Sequence, residues 1–212
     1  MKIGIDFSIN STAITIIKDR SMHLFSFVPN YRPELKGFKT HVEIADLVTI
    51  VSYTKAANTK DPIRDQAIKL KNADDLSNQI IETIAPYIDE QPDIRIEGFS
   101  FGSKGNSFID LVSYNTFLKV KLIQRWGHCI SIVPPKSLKK LYTANGNASK
   151  CDMVRHFTNS STSVFRDKLV ELNLNVEGEF VIPKPVDDLV DSIALAEVLL
   201  GGTTSTGSTE VS

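Results

Sequence analysis

Alternating apolar and polar positions at the start of the chain predict a β-hairpin over residues 2–18. Ile3 and Ile5 alternate with small or charged residues, and a second run rich in β-branched side chains follows. Residues 8–11, Ser-Ile-Asn-Ser, form turns readily and separate the two runs. Residues 22–28 alternate in the same way, so the chain is predicted to begin with a meander of three strands.

Further along the chain, apolar residues recur every three or four positions in some segments, which predicts helices, and every second position in others, which predicts short strands. The helices are predicted at residues 74–88, 107–126, 136–142, 150–159 and 186–200, and the strands at residues 94–99 and 129–133. Residues 36–75 lack a clear period and are interpreted as an insertion, and residues 160–184 are mixed. The pattern predicts one domain over residues 1–200, followed by a disordered tail at 201–212.

The composition is that of a soluble globular protein, with 42% hydrophobic residues in a chain of 212. No apolar run reaches the roughly 18 residues that a membrane helix needs, and no secretory signal peptide precedes residue 20. We therefore expect a cytoplasmic protein, or its viral or organellar equivalent, without a membrane partner. Cys129 and Cys151 are too far apart for a Cys-x-x-Cys pair, which argues against a zinc knuckle or a disulfide framework.

The charge of the chain is unevenly distributed. Residues 101–156 hold nine Lys or Arg and two acids, a net charge of +7, which leaves −8 for the rest of a chain whose total is −1. A basic segment within an acidic protein indicates a binding surface for a polyanion, confined to one region. The alternative is an ordinary solvated helix face that is rich in lysine.

Four acids stand near the ends of predicted elements, with Asp6 on the first strand and Glu97 on a later one. The other two, Asp188 and Asp191, lie on one face of the last helix because they are three residues apart, although Asp187 would serve as well as Asp188. Such a set suits hard divalent cations, and two ions stabilise both the attacking and the leaving oxygen of a phosphodiester. Taken singly, each acid has a simpler explanation, such as complementing a helix dipole or pairing with a lysine.

The order of these acids resembles that of the RuvC-type Holliday-junction resolvases of the RNase H-like superfamily, over residues 3–199. That family has a first strand ending in an aspartate, and the segment IGIDFSINSTAI is similar to it, with Asp6 at the aspartate. The family's fourth strand closes with a glutamate before an aromatic-rich loop and a long helix. The segment IRIEGFSFGSKGNSFIDLVSYNTF resembles that arrangement, with Glu97 at the glutamate.

The second half of the chain continues the resemblance. PPKSLKKLYTANGNASK is similar to the family's segment of proline, lysines and small residues, and Lys139 or Lys140 and Lys150 take its basic positions. DLVDSIALA resembles the closing Asp-x-x-Asp helix, with Asp188 and Asp191 at the two aspartates. Phe-Ser follows the first aspartate where the family usually has Pro-Gly, which suggests a viral or organellar relative.

The resemblance implies an α/β fold with an RNase H-like five-stranded mixed sheet and helices on both faces. The first three strands would be antiparallel, and the two later strands would be parallel to the first. The implied activity is that of an endodeoxyribonuclease that resolves four-way (Holliday) or branched DNA junctions by two-metal hydrolysis. Two Mg²⁺ or Mn²⁺ ions per site would be the cofactors, and the products would carry a 5′-phosphate and a 3′-hydroxyl.

The resemblance also implies the roles of particular residues. Those assigned to catalysis are Asp6, Glu97, Asp188, Asp191 and Lys150, of which the four carboxylates are the metal ligands. Those assigned to DNA binding are Lys104, Lys136, Lys139, Lys140, Lys150, Phe99 and Phe101. Within these sets, Asp6 is the candidate for the ligand that bridges both ions, and Lys150 approaches the phosphate that is cut.

A homodimer with two outward-facing sites suits a four-way junction, because the open form of the junction has two-fold symmetry. The predicted helix at 107–126 carries Ile109, Phe117 and Val120 off its core face, where a second copy would bury them. The alternative is a monomer in which the insertion at 36–75 covers that surface.

Two other functions stay open on the sequence. A nucleic-acid-binding protein of the same fold would keep the basic segment without cutting, although the complete set of acids argues against it. An actin-like ATPase domain also opens with a strand, an aspartate and a hairpin of small residues. The chain is, however, too short for the duplicated domain of such ATPases and has no Gly-rich phosphate loop where their second one lies.

Overall fold

The computed structural model describes residues 1–57, 59–89, 91–99, 106–174 and 181–198. The predicted tail at 201–212 lies outside these residues. None of the described helices is long and apolar enough to cross a lipid bilayer.

A mixed sheet of six strands forms the centre of the described residues. The strands are β1 (Lys2–Asp6), β2 (Thr12–Lys18), β3 (Ser21–Pro29), β4 (Val48–Tyr53), β5 (Asp93–Glu97) and β6 (Ile130–Val133). They lie in the order β4-β3-β2-β1-β5-β6, with β1 to β3 antiparallel and with β5 and β6 parallel to β1. The predicted α/β fold with an RNase H-like mixed sheet is therefore confirmed, with one strand more than the five expected.

The additional strand, β4, belongs to the segment that the sequence suggested was an insertion. Val48 pairs with Leu24 and Tyr53 pairs with Pro29, so β4 extends the sheet beyond β3 in a parallel direction. The short helix α1 (Lys39–Glu43) lies in the crossover between the two strands. Sequence reasoning did not identify this strand because only its first and last residues are buried, which leaves no clear alternation between them.

Helices cover both faces of the sheet. Besides α1, they are α2 (Pro62–Ile84), α3 (Asn106–Trp126), α4 (Pro135–Thr143), α5 (Lys150–Ser160), α6 (Val164–Glu171) and α7 (Val186–Glu197), with 3₁₀ turns at Lys36–Phe38 and Ala85–Tyr87. The predicted start of a helix at residue 74 was wrong. The carboxylate of Asp61 caps α2 by accepting from the backbone nitrogen of Ile63 at 3.0 Å, and a proline occupies the first helical position. Asp74 instead lies inside α2, where its carboxylate is 2.8 Å from Lys121 Nζ of α3.

The period of two in β1 divides its side chains between two cores. Ile3 and Ile5 are fully buried in the core that the sheet forms with α2 and α3. Gly4 and Asp6 lie on the opposite face, where α4 to α7 form the second core. Burying an isoleucine side chain contributes about 2 kcal/mol. If β1 slipped by one residue, Ile3 and Ile5 would leave the core that they fill and the burial energy there would be lost. On the opposite face, they would have to fit where there is room only for a glycine.

The close approach of β1 to α7 fixes the position of the last helix. A Cβ atom on Gly4 would overlap the carbonyl oxygen of Ser192 and would lie 2.7 Å from the backbone nitrogen of Ala196. Thr15 of β2 adds a hydrogen bond of 2.7 Å between its Oγ1 and Ser192 Oγ. Counted from the contact between Gly4 and Ser192, two residues along β1 and four residues along α7 both cover about 6–7 Å. Asp6 therefore lies beside the first turns of α7.

A buried arginine holds the other end of α7. Arg95 of β5 donates from Nη1 to the carbonyl oxygens of Val198 and, at 3.3 Å, of Leu195. Its remaining nitrogens donate to the Asp93 carboxylate at 2.5 and 3.2 Å. A cation suits this position because the last carbonyls of a helix lack intrahelical partners. The C-terminus of α7 is thus anchored to β5, and its N-terminus faces the ends of β1 and β5.

Candidate active site

The parallel strands β1 and β5 end side by side, and each of them ends in an acid. Their register places the last residues, Asp6 and Glu97, at the same edge of the sheet. The first turns of α7 bring Asp188 and Asp191 to this edge, and all four carboxylates line one cleft of about 410 Å³. The structure therefore brings together the four acids that the sequence singled out.

The four acids share a buried and strongly negative environment. Burial, followed by the charges of the other three acids, raises the pKa of Asp6 well above its usual value. Burial, followed by the charge of Glu97, raises the pKa of Asp191 to about 7. Burial also raises the pKa values of Glu97 and Asp188. A cation in the cleft would favour the ionised form of every one of these groups, so the site is chemically suited to positive charge.

The turn between β1 and β2 positions one of the acids directly. Ser11 Oγ donates to Asp188 Oδ2 at 2.5 Å. The turn is itself held by Thr12 Oγ1, which donates to the Ser8 carbonyl oxygen at 2.6 Å, and by the Ser11 backbone nitrogen, which donates to Ser8 Oγ at 3.2 Å. Sequence reasoning missed this role of Ser11 because the hydrogen bond joins residues 177 positions apart.

A lysine just before α7 balances part of the negative charge. Lys184 Nζ donates to Asp188 Oδ1 and lies 3.1 Å from Asp187 Oδ2. Burial favours the neutral amine, but the two carboxylates outweigh it and raise the pKa of Lys184. Lys184 precedes the start of α7, so helical spacing did not reveal this contact in the sequence.

The structure also separates the positions of Asp187 and Asp188. Among the described residues, Asp188 lines the cleft with the other three acids and Asp187 does not. Asp187 Oδ2 instead pairs with the ammonium groups of Lys150 and Lys184. Of the two neighbours, Asp188 is therefore the one that faces the cleft.

The chemistry of the cleft fits a hard divalent cation, because such ions prefer carboxylate oxygens as ligands. As the side chains stand, no three His, Cys, Asp or Glu groups of the described residues are arranged to hold a metal ion. Both oxygens of Asp188 accept hydrogen bonds in this arrangement, Oδ2 from Ser11 and Oδ1 from Lys184. The carboxylates are donor groups of the kind that divalent cations prefer, and in the described structure Lys184 supplies positive charge beside Asp188.

The solved structures that are similar to this chain include two of RuvC. Thermus thermophilus RuvC in complex with a Holliday junction substrate aligns at 12% identity with a TM-score of 0.48, over 92% of this chain and 89% of that one. Another structure of Thermus thermophilus RuvC aligns at 14% identity with a TM-score of 0.47, over 92% and 90% of the two chains. No protein-family model matches the chain, and no curated protein matches its sequence. No statement about function follows from these likenesses, so it must come from the side chains of the cleft.

Lysines border the cleft on the side of α4 and α5. Lys139 of α4 and Lys150, the first residue of α5, are among its lining residues. A capping box fixes the start of α5, and 59% of the Lys150 side chain is exposed. Lys136 and Lys140 are exposed on α4 outside the lining of the cleft. The basic side chains therefore form two groups, one at the acids and one on the adjoining surface.

One of the two aromatic residues predicted to bind DNA is part of the cleft wall. The Phe99 ring is half-buried and meets Phe108 of α3 edge to face, with 5.5 Å between the ring centroids. Lys119 Nζ lies 5.1 Å from the centroid of the Phe99 ring. Phe101 and Lys104, the other predicted contacts of this loop, lie outside the described residues.

A larger cleft, of about 800 Å³, lies at the opposite end of β1 and is lined by residues of both charges. Two of them, Lys18 and Asp89, pair at 2.7 Å. The hydrogen bond from Lys18 lowers the pKa of Asp89, whereas burial and mutual repulsion raise the pKa values of Asp6 and Asp191 in the smaller cleft. The smaller cleft is therefore the candidate active site, despite its size.

Proposed function

We propose that this protein is a metal-dependent endonuclease that cuts branched DNA, with the four-way (Holliday) junction as its substrate. The observation that supports this proposal is the convergence of four carboxylates, from three separate elements, in one cleft bordered by two lysines. A phosphodiester is itself negative, so the acids need bound cations before they can face it. The lysines at the border attract the polyanion.

In this proposal, the four carboxylates of Asp6, Glu97, Asp188 and Asp191 hold two Mg²⁺ or Mn²⁺ ions. When bound, such ions activate a water molecule for in-line attack and offset the charge that develops on the phosphate. Lys150 donates to a phosphate oxygen from the border of the cleft. The expected products carry a 5′-phosphate and a 3′-hydroxyl.

The direct test compares a synthetic four-way junction with a linear duplex of the same sequence, each incubated with the protein and Mg²⁺ or Mn²⁺. Cleavage of the junction that EDTA stops, with the duplex left intact, would support the proposal. Binding of the junction without cleavage under any of these conditions would favour a DNA-binding protein of the same fold.

Single replacements of Lys139, Lys140 and Lys150 by alanine are expected to weaken junction binding and to reduce its dependence on salt. Each phosphate contact that is lost lowers the slope of log affinity against log salt concentration by about one. Fluorescence anisotropy over a series of salt concentrations measures this slope. Lys150→Ala is also expected to slow cleavage at saturating DNA, because Lys150 lines the cleft with the acids.

Lys36→Ala provides a matched control for these variants. Lys36 is exposed in the crossover between β3 and β4, at the edge of the sheet opposite β5 and β6. We expect it to keep the wild-type affinity and slope. If the three test variants also keep the wild-type slope, the basic segment is a solvated surface and does not bind DNA.

We also propose that two copies act together as a homodimer that nicks both strands of the junction. Ile109 and Val120 on α3 are 62% and 46% exposed, which leaves apolar surface available for a second copy. Phe117 was expected to contribute and does not, because its side chain packs against the core between α3 and the sheet.

Light scattering is expected to give a mass twice the 23.5 kDa of one chain. A double replacement, Ile109→Asp with Val120→Asp, is expected to give monomers, whereas Val164→Asp on α6, where the valine is 67% exposed, is expected to leave the dimer intact. On a supercoiled plasmid with a cruciform, the dimer should produce linear DNA by paired incisions. A wild-type monomer that produces mainly nicked circles would exclude the paired mechanism and leave a metal-dependent nuclease.

A further inference from the structure

The cleft contains a buried polar group that the four acids and the lysines do not use. Asn115 of α3 is 2% exposed and is one of the residues that line the cleft. Its side-chain oxygen, Oδ1, is buried and has no hydrogen-bond partner in the part of the chain that the structure describes. A buried carbonyl oxygen without a partner is destabilising, because it has lost its hydrogen bonds to water.

A second buried asparagine shows how such a group is normally satisfied in this protein. Asn72 of α2 is 3% exposed, and its side-chain oxygen accepts from the Ala56 backbone nitrogen at 3.0 Å. Its amide nitrogen donates to the Ala56 carbonyl oxygen at 3.1 Å. Within the described residues, the side-chain oxygen of Asn72 therefore has a partner and that of Asn115 does not, and Asn115 also lines the candidate active site.

The unpaired atom is an acceptor, which restricts what can bind to it. A phosphodiester and a deoxyribose within a DNA strand offer no N–H or O–H donor, whereas the edges of the nucleobases offer several. The neighbours of Asn115 along the cleft, Phe99 and Leu111, are apolar and suit the flat face of a base. The torsion that rotates a carboxamide is soft, so the group can turn towards a ligand in the cleft it lines.

We propose that Asn115 hydrogen-bonds the edge of a nucleobase next to the phosphate that is cut, and so determines which base the enzyme prefers there. The inference rests on the proposed nuclease function, because it places DNA in this cleft. It goes beyond that function because it assigns the enzyme's preference for a DNA sequence to one residue, which lies on the wall that α3 contributes to the cleft.

The test compares Asn115→Leu with Asn72→Leu, two replacements of a buried asparagine by an apolar residue of similar size. Asn115→Leu is expected to melt at or above the wild-type temperature, because it removes an unsatisfied polar group. Asn72→Leu is expected to melt below it, because it breaks both hydrogen bonds that tie α2 to the backbone of Ala56. If Asn115 served only the fold, Asn115→Leu would lower the melting temperature as Asn72→Leu does.

Cleavage is then measured on junctions that carry each of the four bases, or an abasic nucleotide, beside the cut phosphate. The wild type should cut the junction with its preferred base about tenfold faster than the junctions with the other three bases, the effect of one hydrogen bond. Asn115→Leu should cut the four base-bearing junctions at nearly the same rate, about tenfold below the wild type on the preferred base, and both proteins should cut the abasic junction more slowly because it lacks a base to pack against the apolar wall. Asn72→Leu, assayed below its melting temperature, should keep the wild-type preference.

Three results would overturn the inference while leaving the nuclease in place. They are an unchanged base preference in Asn115→Leu, a melting temperature of that variant as low as that of Asn72→Leu, and weaker binding of Mn²⁺ to it by calorimetry. The last result would assign the amide oxygen to the ion site. A wild-type protein that cuts none of the junctions with Mg²⁺ or Mn²⁺ would overturn the proposed function and the inference together.

Discussion

Replacing Asp6 with asparagine is expected to abolish cleavage of a four-way junction and to leave its binding largely unchanged. The substitution preserves the shape of the side chain but removes the charge of a residue that is only 8% exposed, at the centre of the four acids. In the proposed two-metal site, bound ions contribute several kcal/mol to the transition state, so the loss of a ligand to both ions should slow cleavage about a thousandfold or more. Binding should persist because the proposal assigns the contacts with the DNA backbone to the lysines and not to the acids.

Single-turnover cleavage and equilibrium binding, measured on the same junction, separate these two effects. Glu97→Gln and Asp191→Asn are expected to behave as Asp6→Asn does, because their carboxylates line the same cleft. An Asp6→Asn protein that cuts at the wild-type rate would end the two-metal proposal.

Asp187→Asn is the matched control, since Asp187 is buried beside Asp188 on the same helix but does not line the cleft in the described structure. We expect it to retain more activity than Asp188→Asn. Its remaining effect would act through Lys150 and Lys184, which pair with its carboxylate. A larger loss at Asp187 than at Asp188 would exchange the roles assigned to the two residues.

Replacing Gly4 with alanine is expected to lower the free energy of unfolding by about 3 kcal/mol or more, since the added carbon has no space. It would overlap the carbonyl oxygen of Ser192 and would lie 2.9 Å from the Leu195 Cβ atom. Backbone atoms of a packed helix cannot yield as the end of a flexible side chain does, so β1 and α7 must separate. Because these elements carry Asp6 and Asp191, activity should fall with stability.

Thermal unfolding measures this effect, and a decrease of roughly 10 °C in the melting temperature is expected for a chain of this size. Gly37→Ala is the control, because a Cβ atom on Gly37 meets nothing within 4 Å. That variant should melt within about 2 °C of the wild type. A Gly4→Ala protein with an unchanged melting temperature would contradict the close packing of β1 against α7.

The strands at the centre of the sheet were predictable because successive side chains of a strand point to opposite faces, so buried residues recur at every second position of a short segment. The alternation at Ile3 and Ile5 predicted β1, and comparable runs predicted β2, β3, β5 and β6. The short turns between the first three runs predicted the meander of β1 to β3. The direction of β5 and β6 was an expectation from the family resemblance, which the observed pairing of these strands matched.

Two of the elements that sequence reasoning missed lie where burial is incomplete. β4 is an edge strand with buried residues at its two ends alone, and the first half of α2 is mostly exposed or half-buried. Without a continuous buried face, apolar residues need not recur at a fixed spacing, so no period marks the element. The cap at Asp61 was a local signal that could have located the start of α2.

The sequence by itself singled out Asp6, Glu97, Asp191 and one of the pair Asp187 and Asp188, because each stands at or near the end of a predicted element and such ends are readable locally. Only the tertiary structure decided that Asp188 faces the cleft rather than Asp187, and that Ser11 and Lys184 hold its two oxygens. It alone also revealed the unpaired oxygen of Asn115. The physical reason is that these contacts join side chains from segments distant in sequence, whose separation depends on how α3 and α7 pack against the sheet.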